Sequence, residues 1–432
     1  MDVFSRGLIY FNATSAYIGY NGAYGWNLNN DYTGAVGGIT MSIAANQNFD
    51  FDTNVQYGLS AQSLGAITTS NLDAYNNGGY GVTLDNAYSN AATTATLTMN
   101  NLSTWDNNFN NNGDDGLDVL SNRLITLTSI TAQNNGQNHT STGYGAYIDN
   151  CGYNSTLNTC TSTITPASGI TLIGTNYFNN NTHYGLWVTS KGAITASNLT
   201  ALQNGMDGAF LDNQWGTGSL GGITLSGTNN FESNGMLGLE TYSNGAITMN
   251  NVTSSWNTTG GASLGTHGLS TPQAVVLNGS NFFLDNSNNS SDGLENGLYI
   301  TADGSITINS LMASWNDGTG ANLNTSAGTI TLTGTNSFAD NAKDGLDTAA
   351  HGNITLNNIT ADNNGGTGVN GSSTNGSILV ACGSMTNNKS YGWSFQTGTG
   401  QTVTLHGVFA YGNKVGDTHL TGGTLIYVNS CP

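Results

Sequence analysis

Asp149 and Asp212 are the third residues of the tetrapeptides YIDN and FLDN. Two carboxyls in matched settings are what glycoside hydrolysis needs, provided they stand roughly 5 to 9.5 Å apart. Aspartate before asparagine is also the composition of a turn, and that reading is preferred, so no residue is assigned a catalytic role. Glutamate occurs only as Glu232, Glu240 and Glu295, and offers no better pair. Lyase chemistry would set an Arg or Lys base beside a calcium site, and the basic residues are Arg6, Arg123, Lys191, Lys343, Lys389 and Lys414. Arg123 and Lys191 hold equivalent positions two repeats apart and read as exposed turn residues. GDDGLDVL, Gly113 to Leu120, approximates a calcium-binding nonapeptide and makes Asp114, Asp115 and Asp118 the metal candidates. Asp114 fills a glycine slot there and the motif does not recur in tandem, so no cofactor is expected. His139, His183, His267, His351, His406 and His419 lack ligand spacing and read as solvated turn residues.

The four cysteines fit neither a zinc site nor a dense disulfide framework. Cys151 and Cys160 are close enough in sequence to close a small loop, which suits an oxidising exterior. Cys382 and Cys431 stand two repeats apart, so an internal bridge requires the terminal chain to leave its coil, and a bond between subunits is the alternative.

What positions all these residues is a repeat. Gly-x-Ile-Thr-apolar recurs as GGITM, GAITT, GAITA, GSITI and GNITL, and its Ile slot runs from Ile9 to Leu425 in sixteen copies. Most gaps are 22 to 31 residues, with one of 45 between Ile125 and Ile170. A unit of this size cannot bury its own apolar face, so the copies must stack. Each holds three short stretches of period-two alternation, rich in β-branched residues and broken by Gly and Asn, which excludes a helical solenoid. The spacing predicts an all-β parallel β-helix of about sixteen coils with three short strands each. It forms a single domain over residues 1–432, with an excursion at about 149–168. At about 4.8 Å per coil the rod would be roughly 70 to 80 Å long, with Asp149 and Asp212 roughly 10 Å apart. Asn pairs such as Asn76-Asn77 and Asn134-Asn135 fall at the corner between the second and third strands, where their side chains can hydrogen-bond from coil to coil.

The motifs GAITxxNxTAxxN and xGAxLDN, at Gly192 to Asn204 and Gly208 to Asn213, carry a resemblance that covers nearly the whole chain. It resembles the right-handed parallel β-helix repeats of very large secreted and surface proteins of bacteria, including adhesin-like ones. The resemblance implies an extracellular or cell-surface setting, and right-handedness follows from it and from the rule for parallel crossovers.

Composition agrees with a large core: 432 residues are 37% hydrophobic, with 60 Gly and 3 Pro. A net charge of −19 would repel phosphate backbones and anionic membranes, so nucleic acid is not an expected partner. No apolar run is long enough for membrane insertion, and Met1-Asp2-Val3-Phe4 has no signal-like pattern, so the chain reads as a mature product or an excerpt.

On the third strand the outward slot holds polar residues in most coils but Tyr147, Trp187 and Phe210 in three neighbours. These rings could stack on sugar faces, pack on another rod, or lie beneath the 149–168 excursion. Asn-x-Ser/Thr sequons abound, and Asn138, Asn154, Asn257 and Asn388 are the glycosylation candidates. Open strand edges favour association, so the leading expectation is a structural rod that stacks end to end into a filament or forms part of a stalk. A carbohydrate-binding adhesin is the alternative, and a polysaccharide lyase or hydrolase the third.

Overall fold

A computed structural model describes the chain apart from residues 33, 88–94, 103–105, 138–142, 155, 157–158, 161–167, 216–220, 269–270 and 288–294. Among the described residues every regular element is a strand. The chain divides into two compact units, Met1–Leu225 and Ser226–Pro432. Each is a parallel β-helix.

In unit 1 the third strands of successive coils form one parallel row of eight, from Asp2–Phe4 to Ala209–Asp212. The Ile strands form a second row, beginning with Ile9–Ala13 against Ile39–Ile43. A third begins with Ala16–Gly19 against Phe49–Asp52. Unit 2 repeats this plan, with eight third strands from Leu237–Ser243 to Gly416–Thr421. From Ile306–Ser314 to Thr402–Tyr411 its first two strands run together as one bent strand of nine or ten residues per coil. The bend falls at single left-handed residues such as Ser310, Asn358 and Cys382.

Alternation decides the interior. Fifteen of the sixteen Ile-slot residues, from Ile9 to Val403, are buried, and Leu425 in the last strand is half-buried. The second-strand column shows how the interior volume is shared. It reads Phe51, Ala74, Phe109, Ala132, Phe178 and Ala201 in unit 1, all essentially inaccessible. In unit 2 Phe283 faces Ala313, and Phe338 faces Ala361. Adjacent rungs lie about 4.8 Å apart, too close for a phenylalanine on each, so large and small alternate and the volume per coil pair stays constant.

Within each unit an Asn at the second corner of one coil links to that of the next, and all but the end members are buried. Asn77 donates through Nδ2 to Asn112 Oδ1 (3.0 Å) and to the Phe51 carbonyl (2.8 Å), while the Asn77 backbone N–H also reaches Asn112 Oδ1 (3.1 Å). The pattern runs from Asn54 to Asn204 in unit 1 and from Asn234 to Asn413 in unit 2. Each amide is satisfied in a place where no water could serve it.

Candidate functional site

Outward side chains of the third-strand row in unit 1 are held in register by ladder pairing as Asn27, Ser60, Thr83, Asp118, Tyr147, Trp187 and Phe210. Because alternate residues of these strands point inward, Leu186 and Val188 are buried and Trp187 stands out on the face. It is not alone there. Phe210 stacks on it at 4.2 Å, Tyr184 meets it edge-on at 4.7 Å, and Tyr144 and Tyr153 lie 6.1 Å away. Tyr144 stacks with Tyr184 at 5.7 Å, and His183 fits against Tyr144 at 4.7 Å. Trp215 reaches Tyr153 at 6.0 Å. Tyr144, Tyr147, Tyr153 and Trp187 enclose a cavity of about 250 Å³. The indole N–H groups of Trp187 and Trp215 are buried in this cluster without an acceptor. An aromatic wall around an open cavity is suited to the flat apolar face of a ligand.

A second cavity of about 410 Å³ opens on the same face of unit 1. One wall is a tyrosine ladder, with Tyr57 5.0 Å from Tyr24 and 4.9 Å from Tyr80, each edge to face. Facing it are the amides of Asn27, Asn29 and Gln62 and the carboxyls of Asp85 and Asp118. Asn29 Nδ2 donates to Gln62 Oε1 at 3.0 Å, which orients both amides. Asp118 Oδ1 is buried without a partner. Burial first, then the nearby carboxyls of Asp115, Asp85 and Asp149, hold Asp118 well above the usual carboxylate range. The uncharged form of this carboxyl is thereby favoured.

Asp149 and Asp212 are buried turn anchors. Asp149 accepts the N–H groups of Cys151 and Tyr153, each at 2.7 Å, and the Thr189 hydroxyl at 3.0 Å. Asp212 accepts the N–H of Gln214 at 2.9 Å. Asp114, Asp115 and Asp118 are the calcium candidates, although no metal is expected. Among the described residues no three acidic, His or Cys side chains converge as a metal would require. Asp115 is committed to the N–H groups of Gly143 and Tyr144, each at 2.8 Å, while Asp118 faces the tyrosine cavity. His183 is not a solvated turn residue but part of the aromatic cluster, and burial lowers its pKa.

Cys151 is bonded to Cys160, and this link with the Asp149 bonds sets Tyr153 as a side wall for Trp187. Cys382 is bonded to Cys431 within the chain, so the bond between subunits is not the arrangement found. The terminal segment crosses Gly407, where a Cβ would come within 2.7 Å of Cys431 Sγ; only glycine leaves that passage open. Two sequons also need correction. Asn257 and Asn388 are buried ladder members whose Nδ2 groups donate to Asn286 and Asn413, which leaves no position for a glycan. Asn154 is half-buried in the strand facing Thr159, and Asn138 lies outside the described residues.

Sequence reasoning found Tyr147, Trp187 and Phe210 but missed the tyrosines that complete both cavities. Their signal is a Tyr-Gly dipeptide just before the third strand, at Tyr24, Tyr57, Tyr80, Tyr144 and Tyr184. Also missed was the pair Asp50 and Asp73, direct neighbours on adjacent second strands and lining one shallow cavity with Asn46, Gln47, Asn48 and Asn108. Burial and then the Asp52 carboxyl raise Asp50 to about 6, and burial and then the carboxyls of Asp50 and Asp52 raise Asp73 to about 7. In comparisons with known proteins, no family model, no curated protein and no solved structure matches the chain.

Proposed function

We propose that the chain is a carbohydrate-binding β-helix of the cell exterior, and that the third-strand face of unit 1 is its binding surface. The observation that carries this reading is the aromatic cluster on Trp187, where rings replace a polar column and line a cavity of about 250 Å³. A sugar offers what that surface lacks, a flat C–H face for the rings. The tyrosine ladder and the amides of Asn29 and Gln62 extend the same chemistry along the face of unit 1. Asp85, Asp149 and Asp212 give it negative character, so the ligand is a neutral polysaccharide, and uronate-rich or sulfated chains are disfavoured. The two intrachain disulfides support an oxidising compartment.

The test is affinity measured by calorimetry against neutral and anionic polysaccharides. Binding of a neutral polysaccharide that Trp187→Ala weakens at least tenfold supports the reading. Equal binding by the variant, or binding confined to anionic chains, contradicts it.

Stacking of rods is the second reading. Tyr10 and Tyr17 in the first coil and Phe409, Tyr411 and Tyr427 in the last two are exposed, and a second copy would bury them. A mass by light scattering that stays monomeric at every concentration would remove the second-copy form of it.

A further inference from the structure

The corner between the second and third strands of unit 2 repeats one backbone geometry. Its left-handed position holds Trp256 (φ 56°), Asp285 (53°), Trp315 (59°), Asp340 (56°) and Asn363 (56°) in successive coils. Asp and Asn accept this conformation at little cost, whereas a bulky side chain there is strained. Burial does not offset the strain, because Trp256 is 57% and Trp315 48% exposed. Trp315 instead walls a cleft of about 380 Å³ with Asp317, Asp340, Asn363 and Lys389, over a floor that includes the ladder residue Asn316. Asn363 donates to Asp340, which fixes that carboxylate in the cleft.

We propose that this cleft is a second saccharide-binding site, carried by unit 2, which takes a neutral sugar ring on the Trp315 indole. Trp256, two rungs along the same corner and so about 10 Å away, meets a further sugar of the same chain. The carboxylates of Asp317 and Asp340 and the amide of Asn363 accept and donate hydrogen bonds to its hydroxyls. Two carboxylates against the single ammonium of Lys389 disfavour an anionic sugar. The site shares no residue with the face of unit 1. It supplies what a lone aromatic platform lacks, a second point of attachment on a long polymer.

Trp315→Asn tests this, because it removes the ring and installs a residue the backbone prefers. The full chain is run in native gels cast with mannan, dextran or hydroxyethyl cellulose, and its melting temperature is recorded. Retardation by the polysaccharide that holds the wild type is expected to fall at least threefold while the melting temperature does not fall. Trp256→Asn gives a smaller loss. Unchanged retardation, or a melting temperature lowered in step with it, overturns the proposal. Trp187→Ala in the same gels separates the two sites. Loss in that variant alone leaves unit 1 as the binding surface and removes this site, and loss in Trp315→Asn alone does the reverse. A wild-type chain that none of the gels retards removes both.

Discussion

In unit 1 the outward column of the third-strand row passes from Asn27, Ser60 and Thr83 through Asp118 to Tyr147, Trp187 and Phe210. In unit 2 the same column reads Glu240, Ser263, Tyr299, Asn322, Asp347, Asn370 and Ser394. The interiors beneath them follow one rule, with Ile and Leu in the slots and Phe alternating with a small residue. A solenoid interior is set by the need of each coil to fit its neighbours, whereas an outward position answers only to solvent or to a ligand. Departures on the outside are therefore informative in a way that departures inside are not.

The largest expected effect tests the shared interior. Phe178→Ala in unit 1 and Phe338→Ala in unit 2 each remove a fully buried ring between two alanine rungs. Each should cost about 3–5 kcal/mol in denaturant unfolding. A difference between them larger than that spread would break the claim that the interiors are equivalent.

Binding comes next. Trp187→Ala should weaken association with a neutral polysaccharide at least tenfold, about 1.4 kcal/mol or more. Tyr299→Ala, which removes the lone ring from the column of unit 2, should change it less than twofold. Equal losses would mean that the column, not the cluster, is the binding feature.

A pH series sharpens the contrast in a second place. Asp50 and Asp73 occupy the outward second-strand column of unit 1, where unit 2 has Thr253, Phe282 and Met312. Raised to about 6 and about 7, they keep protons in the fold that the unfolded chain has already released. Unfolding then releases protons, so stability is greatest near pH 4 and falls as the pH rises through about 7. Asp73→Asn should raise the melting temperature by a few degrees at pH 8 and leave it unchanged at pH 4. A variant that melts below the wild type at pH 8 would show that this carboxyl is stabilising in its charged form.

The smallest effect concerns Asp118. Since burial and the neighbouring carboxyls favour its uncharged form, Asp118→Asn, which keeps the shape of that form, should alter affinity by less than twofold. Wild-type binding should weaken as the pH rises through the elevated range of this group, and the Asn variant should lose that dependence. Affinity that improves with pH would assign the carboxylate, not the acid, to the bound state.

The interior was legible because period and residue type carry it: Ile67 or Ile354 can be placed from the Gly-x-Ile-Thr motif alone. The column of Tyr147, Trp187 and Phe210 was legible for the same reason, as a departure from a known slot. Depth was not. Asp118 looks like any outward aspartate, and only its burial beside Asp115, Asp85 and Asp149 raises its pKa. Nor was corner geometry weighed fully. Asn257-Thr258-Thr259 reads as a sequon, yet it stands where Asn77 and Asn112 stand, so its amide is spent on the ladder. Tyr184 lies three residues before Trp187 across a glycine corner, and the turn that brings the rings to 4.7 Å follows from no periodicity.

Hydroxyl-radical footprinting of the full chain, with and without a neutral polysaccharide that it binds, reads the face of unit 1 residue by residue. Protection of Tyr144, Tyr147 and Trp187 on binding, with Tyr299 unaffected, is the expected result. Unchanged oxidation of those three residues in the bound protein would contradict the assignment of this face as the carbohydrate-binding surface.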